Sequence, residues 1–552
     1  MAATDWAVVG LYFALLIVGT RLLGGYMARV YTGQIHTLQP IETAIHRLAG
    51  VDPRVAMSWR AYATALLWFN AWGFGVVLIL QLAQHYLPLN PQGLGPVGLW
   101  SAYNTAVSFM TNTNWQGYAG ETTQSYLTQM LGLAVQNFVS AATGMTVAVA
   151  FMRGLAGRST QSLGNFWDDL VRSVLYVLMP LSLGLAVVLI GQGVVQSFAP
   201  YVSVLTLSGA EQVIPLGPAA SQIAIKMLGT NGGGFFNANG AHPFENPTPL
   251  SNFLQALAIL IIPGAFTYTF GKLVGDVRQG WSLFAAMVVL FAAGLAVALW
   301  SQLSYGTLEG QEVRIGPVGS TLWAVATTAA SNGSVNAMHS SLTPLVGLVA
   351  LINMQLGEVI FGGVGAGLYG ILMHVIVTVF VAGLMVGRTP EYLGKKIESF
   401  EVRLAMVAII APNAVILILA PLAALLPIGF GSLSSAGPHG LSEILYAFSS
   451  AANNNGSAFA GLNANTDFYN IALGVAMLVG RFAVLLPALA IAGSLAAKRI
   501  TPASAGTFPT HQPLFVGLLV AVILIVGALT FFPALTLGPI VEHLLMLQGR
   551  TF

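Results

Sequence analysis

The sequence has no cysteine in 552 residues. That excludes disulfides, thiolate metal sites and cysteine nucleophiles, and with them thiol redox chemistry and an extracellular disulfide scaffold. Charge is nearly as scarce. Asp, Glu, Lys and Arg make up 7% of the chain, against about 25% in soluble domains, and the net charge of +2 carries no signal for a nucleic-acid partner. ATP-handling motifs are missing too. No GxxxxGK[ST] phosphate loop occurs, because the Gly271-Lys272-Leu273 and Gly394-Lys395-Lys396 contexts both fail, and there is no Asp-Lys-Thr-Gly phosphorylation sequence.

What is present is apolar: 56% hydrophobic residues and a mean hydropathy of +0.78. The length would suit several soluble domains, but the charges are too few to coat them, so apolar surface must face lipid. The 62 glycines suit membrane helices, where they permit close packing and irregular backbone.

The basic residues give the topology. The apolar run from Trp6 to Thr20 has no positive charge before it, and Arg21 and Arg29 follow it, the reverse of a cleavable signal peptide. It is therefore expected to be a true first helix with its N-terminus outside. Most Lys and Arg then fall into five clusters: Arg21 to Arg60; Arg153, Arg158 and Arg172; Lys272 and Arg278; Arg388, Lys395, Lys396 and Arg403; Lys498 and Arg499. Read as cytoplasmic loops, they require spans near 5–21, 62–86, 125–151, 173–198, 251–271, 282–302, 343–387, 404–426, 469–497 and 514–535, with both termini outside. The 343–387 stretch is too long for one ordinary helix and contains Gly357-Glu358-Val359-Ile360-Phe361-Gly362-Gly363-Val364-Gly365. Two crossings would put the Arg388 cluster on the wrong side, so a single broken crossing bordering a cavity is expected.

Between successive clusters lie four related polar segments: Thr111-Asn112-Thr113-Asn114, Thr230-Asn231-Gly232-Gly233, Ser331-Asn332-Gly333-Ser334 and Asn454-Asn455-Gly456-Ser457. Aligned on Asn112, Asn231, Asn332 and Asn455, they share a small polar residue, Asn, then Gly, with Thr113 replacing Gly in the first. Each follows an apolar stretch too short to span a bilayer, such as Gly98 to Met110. The expected fold class is an all-α polytopic membrane protein of about ten transmembrane helices, with four pseudo-symmetric helix–pore helix/filter–helix repeats around a central pore. The repeats are placed at 62–172, 173–280, 281–403 (with the broken second helix) and 404–500. A first helix and cytoplasmic loop (1–61) precede them, and a C-terminal transmembrane helix (501–552) follows.

Rings of backbone carbonyls suit a dehydrated monovalent cation. Gly, and after it Asn, adopts the backbone angles that aim them inward, and Thr and Ser hydroxyls add neutral oxygen. None of the four segments contains a carboxylate, which argues against a divalent-cation filter.

These strings, with GTNGGGFFN (229–237), NNNGSAFAG (453–461), GEVIFGGVG (357–365) and GRTPEYLGKK (387–396), resemble the KdpA family over nearly the whole chain. KdpA proteins are the potassium-binding subunits of the Kdp potassium-transporting P-type ATPase, within a wider superfamily of potassium transporters. The resemblance implies a potassium filter open to the outside, formed by oxygens of the four segments with Gln116 near its entrance. It also implies a prokaryotic plasma (inner) membrane location and contact with lipids. The expected partners are a P-type ATPase catalytic subunit, which uses the ATP, and two small accessory subunits, with potassium passing to the ATPase subunit through a lateral intramembrane tunnel. Potassium is the only bound species implied, with no organic cofactor, and the chain itself is not an enzyme.

Several charges fall at membrane depth, where ionisable groups are expensive and usually functional. Glu358, with Gly362 and Gly363, is expected to gate a cavity under the filter, while Arg481, about 25 Å from the Lys498 end at 1.5 Å per residue, blocks leakage. Alternatively, Glu358 and Arg481 neutralise each other or cap helix ends. His374 is read as a packed, hydrogen-bonded residue rather than a proton relay, and Lys226 as pairing with Glu211 or Glu245. The 388–403 loop is read as either a solvated face or a docking surface. Without the family resemblance, a stand-alone potassium channel or an ion-coupled symporter remains open.

Overall fold

The structure is a computed structural model that describes residues 3–385, 387, 389–502 and 508–550. Arg388 of the fourth basic cluster lies outside them. Ten helices among the described residues are long and apolar enough to cross a bilayer, and their outward faces carry large exposed side chains such as Trp6, Leu22, Ile79, Leu183 and Leu529. Apolar patches on that scale belong against lipid, not water.

The ten helices coincide with the expected spans, but their ends differ. The first, Ala3–Tyr31, runs ten residues beyond the expected 5–21, because Arg21 and Arg29 end the hydrocarbon-compatible stretch without ending the helix. The fourth span is shifted: it runs Phe166–Gly191 rather than 173–198. It starts early because Asn165 Oδ1 accepts the amides of Trp167 and Asp168 as an N-cap. The seventh crossing is broken, as expected. Pro344–Gln355 and Ala366–Met385 are helical, and between them the backbone is left-handed at Gly357, Glu358, Phe361, Gly362 and Gly365.

Four shorter helices, Leu99–Met110, Ala219–Leu228, Gly316–Ala329 and Gly437–Ala452, lie inside the bundle, each followed by one of the polar segments. Close packing holds the periphery. At Gly24 of the first helix an added Cβ would lie 2.5 Å from the Ala265 carbonyl oxygen of the Pro249–Leu273 helix, so these two backbones touch in the way small residues allow in membranes.

Buried ion pairs organise the basic end of the bundle. Arg153 grips Asp169 with two hydrogen bonds (2.6 and 2.8 Å), and Tyr62 donates to the same carboxylate. Arg172 bridges Glu42 and Asp168, fastening the Gln39–Ala49 helix. The loop near residue 390 is not a fully solvated face, although Lys396 and Glu398 remain exposed. It forms a hairpin, Glu391–Tyr392 with Lys395–Lys396, whose Lys395 side chain is buried and donates to the carbonyls of Gly157, Leu495 and Lys498. These carbonyls lie at the C-terminal ends of two long helices, Val135–Ala156 and Asp467–Ala497.

Candidate functional site

Each short helix is followed by a left-handed residue two positions past its last helical residue: Asn112, Thr230, Ser331 and Asn454, with φ between 48° and 65°. The next amide bonds back to the helix in all four cases: Thr113 to Ser108 O (2.9 Å), Asn231 to Lys226 O (2.9 Å), Asn332 to Thr327 O (3.1 Å) and Asn455 to Ser450 O (2.8 Å). This shared geometry corrects the sequence alignment by one residue in the first repeat. Thr113, not Asn112, is in line with the three asparagines, and Asn114 stands where the others have Gly232, Gly333 and Gly456. Matching Asn with Asn misled the comparison, because the helix end sets the register. Asn114 meets the demand for positive φ (57°) that Gly232 and Gly456 meet elsewhere.

Side-chain amides link the four segments into a closed ring. Asn112 Nδ2 donates to the carbonyls of Gly229 (3.2 Å) and Thr230 (3.1 Å), joining the first segment to the second. Asn332 Nδ2 donates to Lys226 O (3.2 Å) and the Gly333 amide to Asn231 O (3.2 Å), joining third to second. Asn455 Nδ2 donates to Thr327 O (3.0 Å), joining fourth to third, and Asn454 Nδ2 donates to Thr113 Oγ1 (3.0 Å), completing the circuit. The asparagines thus serve as girders.

The hydroxyls are engaged in hydrogen bonds as well. Thr111 Oγ1 donates to Val107 O, Thr230 Oγ1 accepts the Val364 amide, Ser334 Oγ donates to Asn239 Oδ1, and Ser457 Oγ donates to Asn455 Oδ1. By contrast, no hydrogen bond to the carbonyls of Asn112, Thr113, Ser331, Gly333, Asn455 or Gly456 is found among the described residues. Unpaired carbonyls in a buried ring require an explanation, and they are the neutral oxygens a monovalent cation can replace water with.

Gln116 spans two segments, its Oε1 accepting the Gly234 amide (2.9 Å). Below the ring hangs the broken segment. Its Gly362 amide donates to Ala329 O (2.8 Å), its Val364 amide to Thr230 Oγ1 (3.0 Å), and Glu358 Oε1 accepts Asn455 Nδ2 (2.7 Å). A Cβ on Gly363 would stand 3.1 Å from that of Ser331, so the loop backbone lies directly against the third segment. Arg481 is buried on the Asp467–Ala497 helix and donates to Ser140 O (2.9 Å).

Glu358 and Arg481 form no ion pair with each other among the described residues, so mutual neutralisation is not their arrangement. Both line one cavity, together with Ser331, Asn454 and His374, whose lining also includes Ile523 and Gly527. His374 Nδ1 faces the Gly370 carbonyl (3.3 Å), an ordinary helical contact. Lys226 pairs with Glu245, both fully buried, while Glu211 lies in an exposed hairpin.

Sequence reasoning missed Asn239, whose Nδ2 donates to Gly232 O (2.9 Å), and Ser140 and Asn137, which receive or support Asn112 and Asn114. The Asn239-Gly240 pair was a turn signal, and Asn239 is indeed left-handed (φ 53°). Nothing in the sequence marks Ser140 or Asn137 apart from other small polar residues in helices.

The chain matches the family described as potassium-transporting ATPase A subunit over residues 10–544. It is 58% identical over 567 residues to a potassium-transporting ATPase potassium-binding subunit of Methylorubrum extorquens, covering 100% of this chain and 99% of that one. It is also 58% identical over 569 residues to the protein of the same name from Rhodospirillum centenum, with the same coverage. Among solved structures it resembles the potassium transporter TrkH from Vibrio parahaemolyticus, with a TM-score of 0.55 at 13% identity, covering 88% of this chain and 97% of that one. That likeness concerns the fold. With its motifs matched along nearly the whole length, the chain belongs to the KdpA family of potassium-transporting ATPase A subunits.

Proposed function

We propose that this chain is the potassium-binding subunit of an ATP-driven potassium uptake complex in a prokaryotic inner membrane, and that the four-segment ring is its selectivity filter. Potassium enters from outside past Gln116 and exchanges its water for backbone carbonyls of the segments at 111–114, 230–233, 331–334 and 454–457. It then passes the Gly357–Gly365 break into the lateral cavity, whose far end at Ile523 and Gly527 leads toward an ATPase partner. Glu358 and the break gate that step, and the Arg481 cation repels ions that would otherwise leak to the cytoplasm. Both termini lie outside. A P-type ATPase subunit uses the ATP, assisted by two small accessory subunits.

The observation that carries the reading is the closed ring, in which side chains brace while the carbonyls of Asn112, Thr113, Ser331, Gly333, Asn455 and Gly456 carry no hydrogen bond among the described residues. A symporter or a stand-alone channel would transport without a partner, so uptake by the isolated subunit would contradict the proposal. The direct test is potassium-dependent ATPase activity of the assembled complex after Gly232→Asp. Gly232 has φ +90°, and a Cβ there would lie 2.5 Å from Gly333 Cα and closer still to neighbouring amide nitrogens. The expected result is a raised KM for potassium and weaker discrimination against rubidium; wild-type values would count against these segments.

A further inference from the structure

The four repeats are braced by the same position in different ways. Ser108, Lys226, Thr327 and Ser450 occupy equivalent places in the last turn of the short helices, since each carbonyl accepts the amide five residues on. In three repeats this residue is a hydroxyl that holds its own segment: Ser108 Oγ donates to Trp115 O (3.0 Å), Thr327 Oγ1 lies between Asn332 O (2.6 Å) and Ser334 O (2.7 Å) with its one proton to share, and Ser450 Oγ accepts the Gly456 amide (2.9 Å). In the second repeat the residue is a lysine.

Lys226 is completely buried and ion-paired to Glu245, which is also completely buried. Its Nζ donates to Asn239 Oδ1 (2.7 Å), and Asn239 Nδ2 donates in turn to Gly232 O (2.9 Å). Ser334 of the third segment donates to the same Asn239 oxygen (2.8 Å). A cation bound at the amide oxygen polarises the amide, which then donates more strongly to the Gly232 carbonyl. A hydroxyl would brace the loop without the desolvation cost of a buried pair. The lysine adds what a hydroxyl lacks, a fixed charge one amide away from a ring carbonyl.

We infer that Lys226, Asn239 and Glu245 are positioning residues that set the place and field strength of the Gly232 carbonyl, and so tune potassium affinity and discrimination from one quarter of the ring. The inference rests on the filter reading above. Glu245 balances the charge: without it, the Lys226 ammonium stands uncompensated behind a cation site.

The test is the KM for potassium and for rubidium in the ATPase activity of the assembled complex. Glu245→Gln should raise the potassium KM about tenfold, from a unit charge acting over several ångströms at intermediate dielectric. The Lys226→Gln/Glu245→Gln double variant, neutral again, should return to within about threefold of wild type. Asn239→Gly keeps the ion pair and accepts the left-handed backbone, and should shrink the rubidium-to-potassium KM ratio with kcat retained.

A packing role predicts instead that the single and double variants behave alike and that the ratio stays at its wild-type value; either result overturns the inference. Should Glu245→Gln fail to assemble, Asn239→Gly decides alone. Gly232→Asp separates the two levels. An unchanged KM there refutes the filter reading itself, whereas a KM moved by Gly232→Asp but not by Glu245→Gln or Asn239→Gly refutes only this inference.

Discussion

Gly456→Ala tests how tightly the ring is built. Gly456 has φ +97°, and an added Cβ would collide with the Thr113 carbonyl oxygen and stand 3.2 Å from Gly333 Cα. An L-residue in that conformation costs about 1–3 kcal/mol, and the collision is relieved only by moving the Thr113 carbonyl, one of the unpaired oxygens. If this cost falls on the ion-bound arrangement, the potassium KM rises about 5- to 150-fold, since each 1.4 kcal/mol is tenfold. The assay is potassium-stimulated ATPase of the purified complex, with Gly98→Ala as the control: Gly98 has φ −59° and nothing within 4 Å of an added Cβ. A Gly456→Ala complex with the same KM as the control would refute the claim that the segments' backbone is held at contact distance.

Three further outcomes are expected. Arg481→Gln should raise ATP-independent potassium flux through reconstituted complex, because a unit positive charge about 7 Å from an ion, at an effective dielectric of 20, opposes it by about 2 kcal/mol; unchanged flux in vesicles would rule out the leak barrier. Lys395→Met should lower the melting temperature of the solubilised complex, since charged hydrogen bonds to three helix-end carbonyls are worth about 2–3 kcal/mol together, with transport kinetics unchanged if the hairpin is only a clamp. His242 stacks on Phe236 at 4.0 Å in the loop after the second segment, and burial, reinforced by the Arg314 charge, lowers its pKa to about 4. Its neutral form is favoured in the folded state, so its contribution to stability is full above pH 6.5 and is lost as pH falls toward 4. Thermal melts of wild type and His242→Gln across that window should converge at low pH.

Most of the architecture was legible because lipid imposes simple rules. Scarce charges had to mark water, and apolar length had to match the bilayer, so the spans and the break in 343–387 could be drawn from residue types. The polar segments were visible because strained backbone needs Gly or Asn. Register was not, since Asn112 and Asn114 both satisfy positive φ and only the end of the Leu99–Met110 helix distinguishes them. Nor were the bracing contacts: the partner of Lys226 could be narrowed to two carboxylates, but Asn239 is tied to Gly232 by a turn whose course no local pattern specifies. The hydrogen bonds that hold the hydroxyls of Thr111, Thr230, Ser334 and Ser457 depend on geometry that residue types alone do not carry.

The central claim is that potassium sits among the carbonyls where the four segments meet. Anomalous scattering from the assembled complex loaded with thallium(I), a potassium surrogate, reads this directly. Peaks are expected on the ring axis bounded by Asn112–Asn114, Thr230–Gly232, Ser331–Gly333 and Asn454–Gly456, abolished by excess potassium. Thallium found only in the lateral cavity, with none within the ring, would contradict that claim.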